Sequence, residues 1–161
     1  MPVFDPALLA AISFFNRGAR VDRPAQATPA LFTTAKVPLF NVLGGRILEL
    51  AIVGEITTVL SATATLAKLT GTPTVGNSVD LCANSATLSA AAVGQRLVMT
   101  GTLATALTIA DAGGSLWQDL AHIIGVGTID LTGSVNGVTG AIKFSIWYVP
   151  LDDGAYVTST L

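Results

Sequence analysis

The sequence predicts an all-β fold, an antiparallel β-sandwich or jelly-roll-like domain preceded by a helical or extended N-terminal arm. Three observations predict it. Short runs rich in Val, Ile, Leu and Thr dominate from Leu31 onward. Gly, Asn and Pro interrupt them about every ten residues, the spacing of strands joined by turns. In the clearest runs apolar side chains alternate with period two, as one face of a strand requires.

The first segment, FDPALLAAISFFNRG (4–18), has helical punctuation: Asp5 can cap, Pro6 suits the first helical position and Gly18 stops the run. Leu8, Leu9, Ile12 and Phe15 fall near one apolar stripe. So short a helix is marginal alone and needs a surface to dock on. ARVDRPAQATPA (19–30) holds two prolines and little apolar content, which predicts an extended linker. Residues 1–30 are therefore expected to form a docking arm and 31–161 the sandwich.

The expected strand runs are 31–43, 46–54, 55–70, 78–84, 96–103, 127–135 and 138–151. Gly44-Gly45 and Asn136-Gly137 predict hairpin turns, because both dipeptides tolerate the positive φ of type I′ geometry. Ser115–Ile124 (SLWQDLAHII) reads as a short helix or a loop. In VTGAIKFSIWYV, Ile142, Phe144, Ile146 and Tyr148 share one face, against Lys143, Ser145, Trp147 and Val149. RILELAIVG is apolar on nearly both faces and predicts a strand covered on both sides.

Composition narrows the functional classes. Hydrophobic residues make up 51% of the 161 positions and charged residues 11%, against roughly 25% charged in a typical soluble domain. Such a surface is expected to be hidden against other subunits or a membrane. The uncharged run Leu97–Ala110 falls short of the roughly 20 apolar residues a spanning helix needs and is rich in Thr and Gly, so no membrane partner is expected. PALLAAISFF lacks the basic start and clear cleavage site of a secretory signal, so the chain is expected to be made and kept inside the cell. Arg17, Arg20, Arg23 and Lys36 outweigh Asp5 and Asp22 in residues 1–36, whereas acids prevail beyond. Three arginines are few for nucleic acid, and an acidic protein surface is the better partner for them. The single cysteine, Cys82, excludes an internal disulfide and sits in SVDLCAN as a small core hydrophobe.

No catalytic constellation emerges. His122 is the only histidine, and although Asp119 and a serine could complete a triad, no GxSxG elbow is present. One His and one Cys cannot make a zinc site. GVGTID (125–130) lacks the third glycine and the βαβ setting of a dinucleotide site. The turns at Asp111 and Asp152-Asp153-Gly154 lack the alternating oxygen ligands of a calcium loop. Glu49 and Glu55 give no reason to pair as acid and base. No enzyme, cofactor or metal is expected. The aromatic and acidic stretch IWYVPLDDGAYV (146–157) reads as a strand ended by Pro150, a turn at Asp152-Asp153-Gly154 and a short return strand.

Three stretches, GRILELAIVGEITT (45–58), TPTVGNSVDLCA (72–83) and IWYVPLDDGAYV (146–157), together resemble small structural proteins of tailed-bacteriophage virions. The resemblance covers roughly residues 40–157 and departs from the family's pattern at Thr72, where Asn is expected. It implies a β-rich virion component assembled in the host cytoplasm, with turn and strand positions as its markers. The expected role is a capsid decoration (cement) protein that stabilises the head as a homotrimer on the major capsid protein. In that picture Phe4, Leu8, Leu9, Ile12, Phe14 and Phe15 anchor on a neighbouring subunit while Arg17, Arg20 and Arg23 pair with its carboxylates. The alternative is a tail- or head-fibre module in which Trp147 and Tyr156 stack on a host glycan.

Overall fold

Two antiparallel sheets form a β-sandwich in the computed structural model, which describes residues 18–161. The first sheet has strand order β1-β10-β3-β6-β7, with β8 also pairing β3. Its members are β1 (Ala19–Ala27), β3 (Ile47–Thr58), β6 (Arg96–Val98), β7 (Thr108–Ala110), β8 (His122–Ile124) and β10 (Ala141–Pro150). The second runs β11-β2-β9-β4-β5, built from β2 (Val37–Leu43), β4 (Ala67–Pro73), β5 (Val79–Asp80), β9 (Gly127–Gly133) and β11 (Tyr156–Ser159). A single helical turn, α1 (Thr28–Leu31), joins β1 to the second sheet.

Alternation decides what the core contains. Ile142, Phe144, Ile146 and Tyr148 of β10 all point inward, as expected, beside Ile52 and Ile56 of β3. They meet Phe40 and Val42 of β2, Leu69 of β4, and Ile129 and Leu131 of β9. Each such side chain contributes about 1.5–3 kcal/mol by leaving water. Gly54 belongs to this packing, because a Cβ there would lie 2.7 Å from Cε1 of Phe144. Cys82 is fully buried and its backbone-facing thiol accepts from Leu69 N at 3.3 Å. Burial pushes that thiol up to about 11.

Several expectations need correction. Residues 19–27, read as a linker, are extended but form the edge strand β1, paired along β10 from Ala19↔Tyr148 to Ala27↔Ala141. The register slips between Arg23 and Gln26, where Pro24 cannot donate to the ladder. The run 55–70 is divided: 55–58 completes β3, and the rest leads into β4. Gly44-Gly45 and Asn136-Gly137 do not close hairpins. They turn the chain from β2 to β3 and from β9 to β10, and each of these pairs spans the two sheets. Asp152-Asp153-Gly154 does the same between β10 and β11, so the return strand pairs with β2 instead of β10. Ser115–Ile124 is a loop ending in β8, without a helix. The helix expected at 4–18 lies outside the described residues apart from Gly18.

Candidate interaction surface

The segment between β7 and β9 carries an unusual density of exposed apolar side chains. Leu116 is 86% exposed, Trp117 54%, Leu120 56% and Ile123 68%. Sheet pairing accounts for only its last residues, His122–Ile124, which lie against Ile47–Glu49 of β3. The rest is held by polar bonds to Thr100 and Glu49 and within the segment itself. Asp119 N and Leu120 N both donate to Thr100 O, at 3.0 and 3.2 Å. Gln118 Nε2 donates to Glu49 Oε2 at 2.9 Å and to Leu120 O at 2.7 Å.

Glu49, 0% exposed on β3, is the hub of this arrangement. Its Oε2 also lies 2.8 Å from Nδ1 of His122, whose Nε2 lies 2.8 Å from Gly101 O. A carbonyl can only accept, so Nε2 carries a hydrogen. The carboxylate at Nδ1 then favours a second proton. The hydrogen bond to Glu49 raises the His122 pKa, outweighing the opposing effect of burial. A buried charge is tolerable only when so paired. Gly101 is itself constrained, with φ +88° and a hypothetical Cβ 1.9 Å from Leu120 O.

Beside this hub the two tryptophans of the chain meet edge to face, Trp117 against Trp147, with ring centroids 5.0 Å apart and planes at 72°. Such pairs favour the observed T-shape because of the ring quadrupole. The Arg20 guanidinium sits 4.9 Å from the Trp147 centroid. Arg20 is fixed there by Asp22 at 2.7 Å, which also accepts from Ser145 Oγ at 2.5 Å. Burial pushes the Asp22 carboxyl up, but the bonds from Ser145 and Arg20 outweigh it and leave the pKa lowered. A hollow of about 170 Å³ opens beside the rings, lined by Trp117, Trp147, Gln118, Arg96, Met99 and Ala51. A second, of about 410 Å³, lies on the other side of β8 against Val79, Leu81, Leu103, His122 and Ile123.

Of the described residues expected to dock a partner, Arg20 and Trp147 meet, while Arg23 and Tyr156 lie apart from that pair. Phe4, Leu8, Leu9, Ile12, Phe14, Phe15 and Arg17 lie outside the described residues. Arg20 is engaged within the chain by Asp22 and Trp147. Arg23 is 2% exposed, so it is no surface cation. Its Nε donates to Thr160 Oγ1 at 3.2 Å, its Nη2 to Gln26, and burial lowers its pKa. Trp147 and Tyr156 belong to different sheets, and Trp147 pairs with Trp117 instead. Asp152 accepts from the Arg46 backbone at 2.7 Å and from its guanidinium at 3.0 and 2.8 Å, which makes it a turn-fixing residue. His122 faces Glu49 and not Asp119.

Sequence reasoning missed Glu49 as a hub and Leu116, Leu120 and Ile123 as surface residues. A Glu inside the otherwise apolar RILELAIVG was the available signal, since a carboxylate in a strand covered on both sides must find a partner. Among the described residues no three His, Cys, Asp or Glu side chains cluster as a metal would need, and no helix is long and apolar enough to cross a membrane. A scan against protein-family models and searches of curated proteins and of solved structures found no match for this chain.

Proposed function

We propose that this chain is a non-enzymatic structural subunit of a bacteriophage virion, a decoration protein that binds the outer head surface and stabilises it, assembled as a symmetric trimer. The observation that carries this reading is the apolar wall of Leu116, Trp117, Leu120 and Ile123, exposed on a chain with few charges. Four large apolar side chains exposed within residues 116–123 favour an interface, where singly scattered ones would need no explanation. The wall is fixed in advance by Glu49, Gln118 and His122, so little ordering entropy is lost on docking. The three stretches resembling phage virion proteins fall on β3, on β4 to β5, and on β10 to β11, the framework that carries the wall. A non-enzymatic role is supported by His122, whose two ring nitrogens are both occupied, leaving no free base.

Co-sedimentation with heads stripped of the protein tests the proposal. Leu116→Asp with Ile123→Asp is expected to abolish binding in a chain that still unfolds cooperatively. A truncation meant to test residues 1–17 ends before Gly18, because removing residues 19–27 deletes an edge strand.

A second reading is favoured by the indole corner itself. Trp117 and the adjoining hollow offer an aromatic face and the Arg96 and Gln118 side chains to one sugar ring, as a fibre module binding a host glycan needs. Glycan-array binding lost in Trp117→Ala, with head binding intact, favours it over the cement role.

A further inference from the structure

We infer that the turn between β9 and β10 is a site of self-modification, in which the Asn136 side-chain amide becomes a carboxylate after attack by the Gly137 backbone nitrogen. The only co-reactant is water, and the chemistry is independent of any partner.

The turn supplies what this step requires at each reacting atom. Thr34 N donates to Asn136 Oδ1 at 3.1 Å. A backbone N–H can only donate, so the atom it meets is the amide oxygen and not the nitrogen. That N–H points at the oxygen on which negative charge develops when Cγ is attacked, as an oxyanion donor does. Among the described residues no hydrogen bond holds Asn136 Nδ2, so the leaving nitrogen has no protein contact to break. Gly137 N likewise donates to no described acceptor, which leaves the nucleophile free. Both residues are exposed, and a Cβ placed on Gly137 would meet nothing within 4 Å. Glycine has no side chain of its own to crowd the closing ring.

The steps balance as follows. Hydroxide takes the proton from Gly137 N, which bonds to Asn136 Cγ. The Cγ–Nδ2 bond breaks, and the amide nitrogen leaves as ammonia with a proton from water, closing a five-membered succinimide. Water then opens the ring at either carbonyl, giving aspartate or isoaspartate. One water is consumed, one ammonia is released, and nothing is oxidised or reduced. The net charge of −2 becomes more negative by one unit.

The two products differ because both flanks of the turn are anchored. Gly133 N donates to Thr33 O at 2.8 Å, and Ser134 N to Leu66 O at 3.0 Å. On the other side Val138 is fully buried and its carbonyl accepts from Thr28 Oγ1 at 2.7 Å. Aspartate keeps an acceptor for Thr34 N. Isoaspartate routes the main chain through Cγ, inserting an atom between fixed flanks, and so breaks the Thr34 contact.

The other described asparagines are internal controls. Asn41 lies within β2, ahead of Val42, and its Nδ2 donates to Thr158 Oγ1 at 3.5 Å. Asn84 precedes Ser85, whose N is spent on Ala67 O at 2.8 Å. Asn77 is exposed before Ser78, but among the described residues no donor meets its amide oxygen.

The full-length chain is incubated at mildly alkaline pH, in native buffer and in denaturant, and mapped by peptide mass spectrometry with isoaspartate detected enzymatically. Aspartate and isoaspartate are expected to accumulate at 136, at least as fast in native buffer as in denaturant, while Asn77 and Asn84 keep their amides. Isoelectric focusing is expected to show a matching acidic band that forms more slowly in acid. Gly137→Ala is expected to slow the reaction several-fold. Because Gly137 has φ +83°, that variant is strained, and Asn136→Gln serves as the second. It keeps an amide and the glycine but must close a larger ring, so it too is expected to lose the acidic band. Modification at 136 no faster than at Asn77 overturns the inference. A native rate below that in denaturant overturns it as well, since the folded turn then protects the amide.

Discussion

Glu49 Oε2 stands 2.8 Å from His122 Nδ1, joining two residues that are 73 positions apart in the chain. This contact ties the wall to the central strand of the first sheet, and it is titratable.

The raised His122 pKa fixes the sign of one prediction. The hydrogen bond from Glu49 favours the imidazolium in the folded state, against an ordinary value of 6.5. The resulting stabilisation is full below about 6.5 and is lost as pH rises through the higher folded value. Melting temperature measured from pH 6 to 9 is expected to fall with rising pH in the wild type. Glu49→Gln is expected to remove that slope and to lower stability by about 1–3 kcal/mol. A slope unchanged in Glu49→Gln assigns the pH dependence to another group.

Gly101→Ala is expected to destabilise the wall more than an ordinary surface substitution. Its φ is +88° and the added Cβ meets Leu120 O at 1.9 Å, so backbone must move. A loss above about 1 kcal/mol follows from the strained conformation alone. Urea unfolding followed at the tryptophans measures it, and a neutral substitution contradicts the geometry.

Arg23 separates the sheet from the arm. Because it is buried and bonded to Thr160 and Gln26, Arg23→Ala is expected to lower stability, through lost packing as well as lost bonds. A surface docking cation predicts weaker partner binding with stability unchanged. Melting temperature and head binding, measured side by side, distinguish the two.

Cys82 is expected to resist thiol reagents while the protein is folded. It is fully buried with its thiol pushed up to about 11, so little thiolate exists near neutrality. Labelling in native buffer is expected to follow the unfolding equilibrium, and rapid labelling contradicts the packing described.

The fold was legible where residues state their own burial. The alternation Ile142, Phe144, Ile146, Tyr148 can satisfy only a strand with one core face, and the chain places all four inward. β1 was not legible because ARVDRPAQA carries charges and a proline. An edge strand tolerates both, with Pro24 absorbed at the register slip. Asn136-Gly137 announces a turn, but the dipeptide says nothing of whether the next strand joins the same sheet. The site was less legible still. His122 and Glu49 meet only through the pairing of β8 with β3, and the exposure of Leu116 and Ile123 runs against their hydropathy. No local pattern encodes that, since apolar residues in a loop normally predict burial.

The central claim is that the wall is an assembly face, and one measurement tests it most directly. Purified wild type and Leu116→Asp with Ile123→Asp are titrated onto heads stripped of the protein, and bound copies are counted by sedimentation. Saturable wild-type binding is expected and none detectable for the variant, with both chains equally folded. Undiminished binding by the variant contradicts it.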